Sequence, residues 1–162
     1  MIALRYVYVL ALVVWLGGTL TIGGVVAPAA FAALEAQDPT AGRALAAGVV
    51  GAVLARFHPI TYLALGTLLV TLVSMKLVGP RPPGFGVRLF LVGGLLVVSL
   101  VGGFWVDPQI AALRSQIGAP VHTLEQADPR RARFGRLHGL STALMAATAA
   151  GGLVLCYWET RE

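Results

Sequence analysis

Tyr6 to Leu34 reads YVYVLALVVWLGGTLTIGGVVAPAAFAAL, with no charged side chain anywhere in it. Crossing the hydrocarbon layer of a bilayer, about 30 Å thick, takes about 20 mostly apolar residues. The run exceeds that length. It is also too long for the apolar segment of a signal peptide, although Arg5 precedes it, and it reads as a retained helix. Three further charge-free runs follow at Phe57–Met75, Leu89–Val106 and Leu137–Trp158. Hydrocarbon offers the backbone no hydrogen-bonding partner, so each run must satisfy its own N–H and C=O groups as a helix. The expected fold is therefore all-α, a polytopic membrane four-helix bundle with up-down topology. It is a single transmembrane domain over residues 1–162, with spans near 6–34, 52–77, 87–106 and 134–158. Composition agrees: 57% of residues are hydrophobic and 12% charged, against about 25% charged in soluble domains.

The connections give the bundle two unlike ends. On side A, where the N-terminus lies, Gly79-Pro80-Arg81-Pro82-Pro83-Gly84 predicts a short stiff turn. On side B, Asp38-Pro39-Thr40 predicts a helix start with proline at its first position. A second side B connection is expected to begin at Asp107-Pro108, carry an amphipathic piece through Arg114 and break at Gly118-Ala119-Pro120. Asp128-Pro129 then predicts the cap of the fourth helix. Side A carries Arg5, Lys76, Arg81, Arg88 and Arg161 in short segments, which points to a multi-pass cell-membrane protein with both termini in the cytoplasm. Tyr6, Tyr8, Trp105, Tyr157 and Trp158 stand near span ends and read as interfacial belts. The paired glycines at 17–18, 23–24, 93–94, 102–103 and 151–152 read as points of close helix approach.

Several functions are excluded. The net charge of +5 comes from arginines and lysines beside apolar runs, with no basic stripe interleaved with aromatics, so no nucleic-acid partner is expected. A lone cysteine, Cys156, rules out an internal disulfide and a paired-thiol metal site. No Ser-His-Asp set, phosphate loop or pair of in-membrane carboxylates can be assembled, and the chain is not expected to be an enzyme. Met75 and Met145 are too scattered for a thioether copper relay.

The histidines carry the functional signal. His122 falls in a polar loop and reads as solvated. His58 and His138 each open a span that runs from side B to side A, and so share one depth on helices that stand diagonally in an up-down bundle. Two inward imidazoles at one level suit bis-imidazole ligation of b-type haem, with Arg56 and Arg136 placed to meet its propionates. The expected role is then an electron-transfer or accessory subunit of a membrane complex. The same histidines with Asp107 suit a soft, copper-like metal ion, in a transport or tolerance protein. A third reading leaves His58 and His138 as interhelical hydrogen-bonding residues in a structural subunit with no cofactor. Thr61, Tyr62, Leu65 and Gly66 share the His58 face, and Phe134, Ser141, Thr142 and Met145 share the His138 face.

These segments resemble a known family. Trp15-x-Gly17-Gly18 leading to Val26-Ala27-Pro28-x-x-Phe31, then Phe57-His58, Trp105-x-Asp107-Pro108 with Leu113-Arg114, and Phe134-x-x-x-His138-Gly139-Leu140-Ser141 look like the DUF4149 family, whose eukaryotic relative is transmembrane protein 205. The resemblance spans nearly the whole chain, and the fourth-helix motif is its most specific part. It implies a small four-span membrane protein linked in eukaryotes to tolerance of platinum drugs. The first-helix pattern is more distantly similar to the copper-resistance protein D family and to the haem-pathway membrane protein HemJ. That likeness implies metal or haem, although the methionine-rich stretches of a dedicated copper carrier are missing here.

Overall fold

A computed structural model describes residues 2–79, 82–118 and 121–160, apart from the side chain of His122. Pro80, Arg81, Ala119, Pro120, Arg161 and the His122 side chain, all named above, lie outside the described residues. Four helices account for nearly all of the chain: α1 Ile2–Gln37, α2 Gly42–Val78, α3 Phe85–Ile117 and α4 Pro129–Glu159. Each is long and apolar enough to cross a membrane. Sequence neighbours pack side by side and α4 closes back on α1, which makes an up-down four-helix bundle.

The helices outrun the bilayer. At about 1.5 Å per residue they reach roughly 47–55 Å. The side A boundary is marked by charge. Arg88 is 2% exposed and pairs with Glu159, the last residue of α4, and Arg5 approaches the same carboxylate at 3.6 Å. About 20 residues toward side B brings the second boundary near Val25 on α1, Pro108 on α3 and Gly139 on α4. The remaining turns stand beyond the membrane on side B.

Two helices pass through prolines without breaking. α1 widens into a π turn at Ile22–Val26, just before Pro28, and α3 does the same at Gly102–Val106, just before Pro108. A proline ring collides with the carbonyl four residues back. Those carbonyls belong to Gly24 and Phe104, both within the widened turns, where the ring has room. The connection expected to begin at Asp107-Pro108 is thus a continuation of α3 as far as Ile117.

The helix starts on side B divide. Asp128 caps α4 as predicted: its Oδ1 accepts from the Arg130 N–H at 2.8 Å, with Pro129 in the first turn. Its hydrogen bond to the Arg130 side chain, reinforced by the Arg130 amide, holds its carboxyl below the usual range. Asp38 does not start α2. Its Oδ1 accepts from the amides of Ala41, at 2.9 Å, and Thr40, at 2.8 Å, and these bonds lower its pKa. They hold residues 39–41 in a turn, the local alternative such side chains offer to helix. The helix begins only at Gly42, where a β-carbon would collide with the carbonyl of Leu34.

The tightest packing fills the side A half, around Leu12, Leu65, Leu68, Leu72, Val92 and Leu155, each 2% exposed or less. Tyr8 belongs to this core rather than to the interfacial belt. It is fully buried with the Arg88 guanidinium 5.0 Å from its ring centroid. Trp158 packs against Gly84, while Tyr6, Trp105 and Tyr157 are exposed. Close approach explains only some glycines. Gly18, Gly103, Gly151 and Gly152 sit against Phe57, His58 with Tyr62, Leu95, and Leu16 with Trp15. Gly17, Gly24, Gly93 and Gly94 face open space.

Candidate functional site

A cavity of about 80 Å³ lies where the four helices meet in the side B half of the membrane. One buried water needs roughly 10–15 Å³ by this measure, so the space holds a handful of waters or one small solute. Trp15 from α1 is 1% exposed and packs along its wall. Hydroxyls from every helix reach it: Thr19, Thr61, Ser99, Ser141 and Thr148. Thr19 and Thr148 give their protons back to their own helices, at the carbonyls of Trp15 and Met145.

Its charged wall is built across three helices. His58 Nε2 on α2 lies 3.3 Å from Asp107 Oδ2 on α3. This is a hydrogen bond when Nε2 carries the proton and an ion pair when both ring nitrogens do. Asp107 Oδ1 accepts from Ser141 Oγ on α4, also at 3.3 Å. Asp107 is the first residue after the π turn of α3, and the extra residue in that turn sets its bearing. Gly103, inside the turn, lets α3 approach His58. A β-carbon there would strike the Tyr62 hydroxyl and lie 2.7 Å from His58 Nδ1. The Tyr62 ring stands 5.9 Å from the imidazole and stacks on Phe104 at 5.4 Å. Above the cavity on side B, Arg114 ties α3 to α2 through the carbonyl of Ala47 at 3.0 Å, and its guanidinium lies 5.4 Å from the Phe134 ring.

The close approach at Gly103 has a measurable cost. Gly103→Ala should destabilise the protein by about 1–3 kcal/mol through overpacking. Gly94→Ala, toward open space, should be neutral or mildly stabilising. Thermal unfolding of both variants in detergent checks this; equal midpoints would show that α3 has slack against His58.

The structure brings some of the expected site residues together and leaves others apart. His58 and Asp107 meet, and Thr61, Ser141 and Met145 line the same cavity. His138 is absent from the lining; it is exposed, with its ring stacked on Phe134 at 6.0 Å and 9°. Arg56 and Arg136 are exposed on the outer surface. A bis-imidazole haem does not fit this arrangement. Its two proposed ligands do not face one space, and pockets for ligands of that size run to about 300–1,000 Å³. No group of three or more His, Cys, Asp or Glu side chains converges among the described residues, so His58, His138 and Asp107 do not form a closed metal centre. Gly102-Gly103 reads in the sequence as a point of close helix approach, but its partners His58 and Tyr62, and the Arg114 tie to Ala47, were not foreseen. A Gly-Gly pair a turn or so ahead of a proline, as in Gly102-Gly103 before Pro108, was the available sign of a locally altered helix.

Comparison with known proteins places the chain. No curated protein and no solved structure gives a significant match, so these searches do not support the likeness to the copper-resistance protein D family and HemJ. The family model described as domain of unknown function (DUF4149) matches residues 10–119. That stretch contains Trp15, His58 and Asp107, while the Phe134–Ser141 motif of α4 lies beyond it. With more than half of its length matched across three of its four helices, the chain belongs to the DUF4149 family.

Proposed function

We propose that this multi-pass membrane protein is a non-enzymatic carrier that takes a small divalent transition-metal cation as cargo between His58 and Asp107. The contact between His58 and Asp107 on the cavity wall carries the reading. Among the described residues Asp107 holds the only negative charge lining that space, so the chemistry favours a cation, and the volume favours a small one. Imidazole with carboxylate suits zinc, copper, nickel or cobalt, and the Met145 thioether on the same wall adds a softer donor. Two strong ligands and neighbouring hydroxyls make a weak site. Weakness suits an ion that must leave again, since a transport site has to release what it captures.

The expectation of cytoplasmic termini rests on short side A loops. However, the α1–α2 link on side B is also short, confined to residues 38–41. Side B carries more arginines near its helix ends than side A has lysines and arginines together. Lys and Arg count in this rule, while acidic residues contribute little. On this count we propose that side B faces the cytoplasm, the reverse of the expectation from the short side A loops, and that the cavity opens toward that compartment.

The test is equilibrium dialysis of the purified protein in lipid nanodiscs against Co²⁺. Wild type should take up one equivalent, and His58→Gln should bind at least tenfold more weakly. Equal binding by the two proteins overturns the proposal. A Soret band in the purified protein, lost in His58→Ala, would assign the site to haem instead.

A further inference from the structure

We infer that the bundle is one helical hairpin used twice, and that His138 stands in a second copy of the His58–Asp107 site, incomplete because Ala27 fills the place of Asp107.

The two halves repeat at a single spacing of 80 residues (102 minus 22, 138 minus 58). The π turns obey it, Ile22–Val26 against Gly102–Val106. So do Pro28 and Pro108, the helix ends at Gln37 and Ile117, Arg56 and Arg136, and His58 and His138. Burial repeats where identity does not: Tyr8 with Arg88, Leu12 with Val92, Trp15 with Leu95, Leu68 with Thr148, Leu72 with Gly152, and Met75 with Leu155 are all buried at both members. All six of these pairs differ in residue type, so what the halves share is a shape, which a comparison of residue identities does not detect.

The halves are arranged about an axis along the membrane normal, as in parallel repeats of transporters. α1 and α3 run from side A to side B, and α2 and α4 return. Each hairpin's second helix packs on the other hairpin's first, α2 on α3 and α4 on α1. Equivalent residues meet near the axis. The Arg88 guanidinium covers the Tyr8 ring, and Thr19 with Ser99, Ile22 with Gly102, and Thr61 with Ser141 line the one cavity. The copies diverge outside the membrane, where the second link is longer and α4 begins only at Pro129.

The repeat explains the two histidines at one depth without a ligand between them. His58 of the first hairpin reaches Asp107 of the second. By the same operation, His138 of the second belongs opposite position 27 of the first. Ala27 and Asp107 are both half-buried, each directly after a π turn and directly before an exposed proline. A methyl group offers an imidazole no acceptor, and His138 is exposed against Phe134 instead.

Two arms test this in full-length protein in nanodiscs. In a Cys156→Ala background, the pair Ala27→Cys/His138→Cys should cross-link with a short bis-maleimide as readily as His58→Cys/Asp107→Cys. Linkage of the second pair without the first overturns the repeat. Ala27→Asp should raise bound Co²⁺ from one equivalent to two, and His138→Gln in that variant should return it to one. A stoichiometry that stays at one overturns the second site. The metal arm rests on the function proposed above. If wild type binds no Co²⁺, that proposal fails by itself and the cross-linking still decides the repeat.

Discussion

Asp107→Asn is expected to weaken Co²⁺ binding about a hundredfold or more, equivalent to about 2.7 kcal/mol, while leaving the fold intact. Asparagine matches the shape of aspartate and keeps an oxygen for Ser141 Oγ, so the 3.3 Å tie from α4 survives. The charge does not. Asp107 supplies the only negative charge on the cavity wall among the described residues, in a medium where charges interact several times more strongly than in water. A neutral amide leaves the cation with imidazole, hydroxyls and a thioether, too little to offset its dehydration. Isothermal titration in nanodiscs with Co²⁺ gives the comparison, and His58→Gln is the companion variant because it removes a neutral donor while keeping the charge. Asp107→Asn should be the weaker binder. Wild-type affinity in Asp107→Asn would show that the metal binds elsewhere.

How much of this was legible beforehand depends on which physical property carried the signal. The four spans were legible because hydrocarbon forces long charge-free runs into helices. The common depth of His58 and His138, with Asp107 ending the third run on the same side, followed by counting residues along those runs. Helix rotation was not legible. A soluble helix shows its inward face by alternating polar and apolar residues, but Leu137–Trp158 is apolar all round. Nothing in it marked His138 as facing outward while Ser141 faces Asp107. The π turn before Pro108 changed the bearing of Asp107 by a fraction of a turn, which a reading at 3.6 residues per turn does not register. Tyr8 was misplaced for a related reason. Its position near a span end matched a belt residue, but its surroundings are set by Arg88, two helices away in sequence. The side A loops were correctly read as basic. What the sequence concealed was that Arg5 and Arg88 spend their charge on Glu159 inside the bundle.

That ion pair should carry the largest stability effect in the molecule. Arg88→Ala is expected to cost about 3–5 kcal/mol, the range for leaving one member of a buried pair uncompensated. Arg88 is 2% exposed, its guanidinium covers Tyr8, and Glu159 is 10% exposed. Truncation therefore leaves a carboxylate in a nearly dry setting, with Arg5 at 3.6 Å as its remaining partner. It also removes packing above the Tyr8 ring, at the end of the bundle where α1, α3 and α4 meet. The double variant Arg88→Met/Glu159→Leu should recover most of the loss, because well-packed apolar replacements of a buried pair are often neutral or better. Arg5, 46% exposed in its side chain, can then turn to lipid headgroups. Reversible unfolding in mixed detergent micelles measures all three proteins. Arg133→Ala on the exposed start of α4 is the control, expected within about 0.5 kcal/mol of wild type. If Arg88→Ala falls no further than that control, the pair contributes nothing to holding side A together. If the double variant is as unstable as Arg88→Ala, the contribution of Arg88 lies in its contact with Tyr8 rather than in its charge.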